Sequence, residues 1–370
     1  MSNKKFYTTI GIMTGTSMDG LDLSLVKTDG LKYCKILKEY SYSYSNTYKK
    51  KLKSLVDNFP ISKKKKDISI EKYDAFITKE LIKIVKHFIR KIKYNKKIDL
   101  IGFSGQTIFH DPKNNYSLQL GSGKILSNKI KIPVVTNFRD KDIALGGEGA
   151  PIGCYYHKYL INKINKKTAI VNIGGVTNIT LIYKRKLIGF DLGPGNALID
   201  DLTYYFYKKK YDKFGMIASS GVANIKLIKK FKNDIFFKNK MPQSIDRNYF
   251  KKYYHLLKKI KKNNAINTSI HFVMYSIINI IKKNNYYGGE IILTGGGRKN
   301  KFLLKLLKEN LPNININTID IYGFNGDLIE SQMFGYIGVR SIKKLIISNP
   351  NTTKVKKAMT GGKIYKLFEN

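Results

Sequence analysis

Four times in this chain an apolar, β-branched run breaks into a glycine-rich turn, and two of those breaks are strand–turn–strand reversals. Runs at Tyr7–Met13, Leu21–Lys27 and Cys34–Tyr44, separated by turns that contain Gly or Asp, predict a three-stranded meander. Helical patterns follow near Thr47–Val56 and over Ile70–Ile92, where Tyr73, Phe76, Ile77, Leu81, Ile84 and Phe88 recur at helical spacing. A short buried strand is expected at Leu100–Phe103. A second cycle then begins: Ala169–Ile173, Thr177–Tyr183 and Leu187–Phe190 repeat the meander. Helices are expected at Leu198–Phe206, Ile266–Lys282, Lys301–Glu309 and Leu328–Ile347, with a strand at Glu290–Leu293. Two halves that both open on a meander and continue in α/β alternation predict an α/β protein with an internal repeat. Lys232–Pro242 is poorly periodic and reads as a surface connection.

With 370 residues, 42% of them hydrophobic, the chain is long enough for two lobes of ordinary size. No apolar run approaches the roughly 18–20 residues that span a bilayer. Met1–Lys5 is polar and runs directly into a strand, so no signal peptide is expected. The two cysteines, Cys34 and Cys154, stand in unrelated contexts, which argues against a disulfide framework and fits a reducing cytosol. The formal net charge of +42 would ordinarily point to nucleic acid or an anionic surface. The lysines are nevertheless spread along the chain, with short runs only at Lys63–Lys66, Lys208–Lys210 and Lys258–Lys262. A solvated surface is the simpler reading, with a polyanion-binding face as its alternative.

The chemistry is expected at the glycine turns. In GIMTGTSMDGLD, Gly11 to Asp22, glycines let backbone N–H groups approach phosphate oxygens, and Thr14, Thr16 and Ser17 add hydroxyls. The segment lacks the GxxxxGK[ST] spacing of a P-loop, and taken alone it also suits a plain hairpin turn. VNIGGVTNIT, Val171 to Thr180, repeats the strand–GG–strand form. In GFDLGPGNALIDD, Gly189 to Asp201, a strand delivers Asp191 to a Gly-Pro-Gly turn before a helix. Asp191 there suits a general base or a cation ligand, and equally a turn aspartate. In ILTGGGRKNKFL, Ile291 to Leu304, a buried strand breaks into three glycines ahead of a helix, whose N-terminus suits a nucleotide.

Taken together these motifs resemble the anhydro-N-acetylmuramic acid kinase family over roughly residues 8–340. The family's GTSxDGxD pattern is met by Gly15, Thr16, Ser17, Asp19, Gly20 and Asp22. Its GQT…H.P element is similar to Gly105, Gln106, Thr107, His110 and Pro112. Its FRxxDxAxGGxGAP element is met by Phe138, Arg139, Asp142, Ala144, Gly146, Gly147, Gly149, Ala150 and Pro151. NIGGxxN, GFDxGPGN and GDxxEAxxF correspond to Asn172–Asn178, Gly189–Asn196, and Asp327, Glu330 and Phe334. The chain departs from the pattern at Ser104, usually histidine, at Asn137, often aspartate, at Glu148, often glutamine, and at Ser331, usually alanine. Ser104 and Asn137 bear on the shape of the sugar pocket.

The resemblance implies a two-lobed, actin-like (ribonuclease H-like) ATPase fold with a nucleotide cleft between the lobes. Residues 1–130 with about 345–370 would form the first lobe and 131–344 the second. It implies hydrolysis of the 1,6-anhydro bridge of 1,6-anhydro-N-acetylmuramic acid with phosphorylation of the released 6-oxygen, in cell-wall recycling, using ATP and Mg2+. A base must activate water at the anomeric carbon, and phosphoryl transfer needs positioning and charge neutralisation. Asp191 is the preferred base, with Glu330 the second candidate for the water or for Mg2+ through water. Arg139 suits the substrate carboxylate, its alternative being an ion pair with Asp140 or Asp142. Gln106, Thr107, Asp142 and Asn196 are assigned to the sugar. Gly15, Thr16, Ser17, Met18, Asp19, Gly20, Leu21 and Asp22 are assigned to nucleotide, as are Gly174, Gly175, Gly295, Gly296 and Gly297. A homodimer is implied, with no specific nucleic acid and no membrane partner. His87, His255 and His271 follow no ligand spacing, while His110 and His157 lie inside family-like segments. The competing readings are an actin-like kinase for another sugar, a basic non-catalytic nucleic-acid binder on the same fold, and a degenerate scaffold.

Overall fold

The computed structural model describes residues 4–15, 18–57, 68–111, 114, 116–164, 167–238, 243–245, 248–283 and 289–366. The chain divides into two compact units, Met1–Tyr159 with Leu328–Asn370, and Leu160–Asp327. The sequence reading put these limits near 130 and 345. In the structure, the strand Val134–Thr136 joins the first sheet and the helix Ile329–Ile342 packs on it, which carries the first unit to Tyr159 and brings the chain back at Leu328.

Unit 1 opens with β1 (Tyr7–Thr14), β2 (Gly20–Thr28) and β3 (Cys34–Ser43), followed by α1 (Asn46–Asp57) and α2 (Ile68–Ile92). Then come β4 (Leu100–Phe103), a hairpin of β5 (Gln106–Asp111) and β6 (Tyr116–Leu120), α3 (Gly123–Ile130), β7 (Val134–Thr136), α4 (Asp140–Ala144) and α5 (Cys154–Ile164), which runs across the division. Unit 2 contains β8 (Thr168–Ile173), β9 (Val176–Tyr183), β10 (Lys186–Pro194), α6 (Asn196–Tyr207), α7 (Met216–Ser219), α8 (Ile225–Lys232), α9 (Lys251–Leu257), α10 (Lys262–Lys283), β11 (Glu290–Thr294), α11 (Lys301–Asn310) and β12 (Asn315–Thr318). The chain returns to unit 1 with α12 (Ile329–Ile342), α13 (Pro350–Thr353) and β13 (Lys363–Tyr365).

The two sheets share one plan. In unit 1 the order is β3-β2-β1-β4-β7, with β13 added at the edge; in unit 2 it is β10-β9-β8-β11-β12. In each, the meander strands are antiparallel and the next two run parallel to the first. This duplicated order is that of the actin-like, ribonuclease H-like ATPases, so the internal repeat expected from the two meanders is present. Central strands β1, β4, β8 and β11 are buried almost throughout, so they carry few charged side chains, whereas edge strand β3 is buried only at Cys34 and is otherwise half-buried or exposed.

Ile77, Leu81, Ile84, Val85 and Phe88 of α2 enter the unit 1 core with Ile10, Ile12, Leu23 and Phe103. Each such side chain contributes on the order of 1.5–3 kcal/mol of transfer free energy. Tyr73, counted on that stripe from its spacing, is exposed. Helix α12 ends at Ile342 rather than Ile347, because Lys344 takes a left-handed conformation and the Leu345 N–H turns back to the Arg340 carbonyl at 2.8 Å. The connection read as superficial at Lys232–Pro242 is not so: Phe236 and Phe237 are buried in the unit 2 core, Phe237 edge-on to Phe231, Tyr275 and Phe236, while residues 239–242 lie outside the described residues. No helix among the described residues is long and apolar enough to cross a membrane.

Candidate active-site groups in the two units

In unit 1, the β1–β2 reversal is a tight turn in which the Met18 N–H donates to the Gly15 carbonyl at 3.1 Å, with Met18 at φ 56°. Thr16 and Ser17 lie outside the described residues. Met18 and Leu21 point into the core, and Gly20 passes against the Tyr42 carbonyl, so these three shape the turn from within. Asp19 is exposed and pairs with Lys49 at 3.3 Å. Asp22 accepts the Ser41 hydroxyl at 2.6 Å across the β2–β3 ladder.

Glu330 sits in the first turn of α12, half-buried against this same face. The helix lies directly on the sheet because Gly11 and Gly102 present no side chain to it. Burial, reinforced by the negative charge of Asp22 and opposed by Arg139, pushes the Glu330 carboxyl up to about 7. A carboxyl that titrates near neutrality is suited to taking and returning a proton.

Arg139 precedes α4, and its Nη1 lies 3.5 Å from His110 Nδ1. The His110 ring also meets the Ser117 hydroxyl at 2.9 Å, and burial together with the Arg139 charge pulls its pKa down to about 3, so the imidazole is neutral. Gln106, 1% exposed, starts the β5–β6 hairpin, and its side-chain oxygen has no hydrogen-bond partner among the described residues. Thr107 follows it, half-buried. Ser104, in place of the family's histidine, ties strand ends together: it accepts the Thr14 N–H at 3.3 Å and donates to the Gly105 carbonyl at 3.1 Å. Asn137 donates to Asp140 at 2.8 Å. Asp142, assigned to the sugar from sequence, is 0% exposed: its Oδ1 accepts the Gly149 N–H at 2.8 Å and its Oδ2 the Thr353 hydroxyl at 2.6 Å.

In unit 2, three of the glycine turns converge. The Asn196 N–H donates to the Gly174 carbonyl at 2.7 Å, the Gly195 N–H to the Gly175 carbonyl at 3.1 Å, and Asn196 Nδ2 to the Ile173 carbonyl at 3.1 Å. The turn after β11 closes on the same point: Thr294 donates to Asn172 Oδ1 at 3.1 Å, and a Cβ at Gly297 would stand 2.2 Å from Ile173 Cγ2. Gly295, at φ 73°, would bring a Cβ to 2.6 Å from Asn172 Oδ1. Glycine here lets the three turns meet backbone to backbone, as a floor with no side chain of its own at these positions. The α11 N-terminus is a different matter, since Asn300 caps it by accepting the Leu303 N–H at 2.9 Å. Asp191, 6% exposed, lies where β10 bulges before Gly193; its Oδ2 accepts the Ile245 N–H at 2.8 Å.

Sequence reading passed over Arg298. It is 5% exposed and holds the turn after β11 by donating to the Gly295 carbonyl at 3.0 Å. Its fork also grips Asp320 at 2.7 and 3.0 Å and Asp327 at 2.7 Å, and Lys299 adds a second contact to Asp327 at 2.5 Å. Arg298 holds the Asp320 carboxyl down at about 2. Its place immediately after three glycines, with Asp327 already inside a motif, was the available signal.

The sequence model of the family described as anhydro-N-acetylmuramic acid kinase matches residues 7–367. Curated relatives bearing that description include one from Pelagibacter ubique, 37% identical over 99% of this chain and 100% of its own length. Another, from Zymomonas mobilis, is 35% identical over 96% of this chain and 99% of its own. A third, from Legionella pneumophila, is 31% identical over 98% and 99% respectively.

Proposed function

The chain belongs to the anhydro-N-acetylmuramic acid kinase family, and from that premise we propose how its residues divide the work of an ATP-dependent kinase that opens and phosphorylates 1,6-anhydro-N-acetylmuramic acid. In this reaction water adds to the anomeric carbon, the bond from that carbon to the bridging 6-oxygen breaks, and the released oxygen takes the terminal phosphoryl group of ATP, leaving ADP. The product, N-acetylmuramic acid 6-phosphate, returns wall sugar to metabolism. The observation that carries the reading is the convergence of the turns at Gly174–Gly175, Gly195–Asn196 and Gly295–Gly297 in unit 2, with Asp191 on the strand that leads into the second of them.

Asp191 takes the proton of the attacking water. Its backbone is fixed by the Gln243 carbonyl and one carboxylate oxygen by Ile245, so the group is oriented before substrate arrives. The glycine floor of unit 2 receives the nucleotide, steadied by Arg298 beneath Gly295. In unit 1, Arg139 binds the lactyl carboxylate, with neutral His110 beside it adding no competing charge. Gln106 contributes its buried carbonyl oxygen to a donor on the sugar; an unpaired buried acceptor costs about 1–3 kcal/mol, which a hydroxyl or amide N–H of the substrate recovers. Two carboxylates, Asp22 and Glu330, lie near enough to perturb one another, and all-oxygen donors of that kind suit hydrated Mg2+. Bound there, Mg2+ would neutralise charge on the phosphates during transfer. The same premise extends to a cytoplasmic homodimer with no specific nucleic-acid or membrane partner, which sedimentation and binding at moderate salt would test.

Heavy-oxygen water tests the chemistry directly. Label is expected at the anomeric carbon of the product and absent from its 6-phosphate; label appearing instead in free inorganic phosphate would mean ATP hydrolysis rather than transfer.

A further inference from the structure

Helix α13 and Lys354 just after it lie beyond the motif-bearing part of the sequence, yet they hold α4 and the loop after it at three points. The Thr353 hydroxyl donates to Asp142 Oδ2 at 2.6 Å. The Glu148 N–H donates to the Thr353 carbonyl at 2.5 Å, and Lys354 pairs with Glu148 at 2.8 Å. The helix is itself anchored, since Asn349 closes a capping box with Thr352 and donates to the Tyr155 hydroxyl at 3.2 Å.

Asp142 transmits this grip. It is fully buried, and its second oxygen holds the Gly149 N–H at 2.8 Å while its own carbonyl accepts the Gly147 N–H at 2.9 Å. Asp142 belongs to α4, whose first turn starts from Arg139: the Ile143 N–H donates to the Arg139 carbonyl at 3.0 Å. The returning loop passes so near that a Cβ at Gly149 would stand 3.4 Å from Arg139 Cβ. Thr353, Asp142, α4 and Arg139 thus form one continuous mechanical path.

We propose that Thr353 is a positioning residue for sugar binding, acting through the Asp142 carboxylate to hold α4 and the 146–151 loop so that Arg139 is aimed at the substrate carboxylate. The inference rests on the reading of Arg139 given above. A hydroxyl bonded to a buried carboxylate is among the stronger hydrogen bonds, so its loss leaves Asp142 under-satisfied and the loop free to shift.

The test is steady-state kinetics of the full-length protein with Thr353→Val, Thr353→Ser, Arg139→Ala and the Arg139→Ala/Thr353→Val double variant. KM does not depend on the fraction of protein that is active, so partial misfolding cannot imitate the effect. Thr353→Val is expected to raise KM for the anhydro sugar about tenfold while KM for ATP stays within about twofold, and Thr353→Ser is expected to restore the sugar KM. Thr353→Ala carries the same expectation should the valine variant fail to fold. In the double variant the sugar KM is expected to rise no further than with Arg139→Ala alone. An unchanged sugar KM in Thr353→Val, an equal rise for both substrates, or additivity in the double variant would each overturn the inference. Were Arg139→Ala itself to leave the sugar KM unchanged, the reading of Arg139 would fall, and this inference with it. A raised KM in Arg139→Ala beside an unaffected Thr353→Val would sink the Thr353 role alone.

Discussion

Gly11 and Gly102 stand side by side on the parallel strands β1 and β4, and a Cβ on either would meet a backbone carbonyl of α12, Ser331 at 1.8 Å and Phe334 at 2.0 Å. The helix answers with Gly335, whose own Cβ would lie 3.3 Å from the Gly11 N–H nitrogen. Helix and sheet therefore meet backbone to backbone, and this contact sets the depth of the first helical turn, where Glu330 sits. Gly102→Ala must push α12 away from the sheet, since the obstructing atom is a carbonyl and not a flexible side chain. The expected cost is about 1–3 kcal/mol, seen as a lowered Tm, together with a fall in kcat as Glu330 is displaced. A variant of unchanged Tm and kcat would show that the helix does not set the site.

Glu330 gives a pH dependence with a definite sign. Burial and Asp22 raise its pKa from an ordinary 4.5 to about 7, so the folded chain holds this proton more tightly than the unfolded chain. The stabilisation is complete below about 4.5 and is lost as the pH rises through about 7. Glu330→Gln is accordingly expected to be more stable than the unaltered protein at pH about 8, by at most ~3 kcal/mol, while being less active. The unaltered protein is expected to show a rise of kcat/KM through about pH 7 that this variant lacks. Neither His110, at about 3, nor His157, at about 4, titrates in that window. Persistence of the rise in Glu330→Gln would assign it to another group.

Arg298→Met tests the support of the turn after β11, to which the proposal above assigns the nucleotide. Asp320, held at about 2 by Arg298, contributes stability that is present above the ordinary carboxylate pKa of 3.8 and is lost as the pH falls through about 2. The variant should be about 1–2 kcal/mol less stable at neutral pH, the half-exposed carboxylates being partly relieved by water, and the difference should shrink as the pH falls toward about 2. Because Gly295 loses its tether, KM for ATP should rise more than KM for the sugar. Urea titrations at two pH values and paired KM measurements check both statements.

Much of this architecture was legible because glycine is informative where backbone meets backbone. The meanders at Tyr7–Ser43 and Thr168–Pro194 were readable from β-branched runs interrupted by Gly and Asp, and the Asp191 and Gly295–Gly297 segments stood out by composition. The β5–β6 hairpin was not predicted, since polar residues such as Gln106, Thr107, His110, Ser117 and Gln119 interrupt its apolar positions, of which Ile108 and Leu120 enter the core. Long-range polar pairings left no local trace either. Asp142 looks like any motif aspartate until Thr353, 211 positions away, is seen bonded to it. Phe236 and Phe237 were passed over because a short, irregular turn has no periodicity, although its rings are buried. The lysine excess stayed uninformative about partners; several of these side chains lie over tyrosine rings, as Lys258 does over Tyr205 at 4.0 Å and Lys91 over Tyr40 at 4.0 Å.

On the proposal above, this chain couples opening of the anhydro bridge to phosphoryl transfer with Asp191 as the base. The most direct measurement is ADP release from Mg-ATP with and without 1,6-anhydro-N-acetylmuramic acid, for the unaltered protein and for Asp191→Asn, with the sugar product identified by mass. ADP formation is expected to depend on the sugar, with a matching yield of sugar 6-phosphate and a fall of about 10²–10⁴-fold in kcat for Asp191→Asn. ADP formation indifferent to the sugar, or an Asp191→Asn variant that turns over as fast as the unaltered protein, would contradict that proposal.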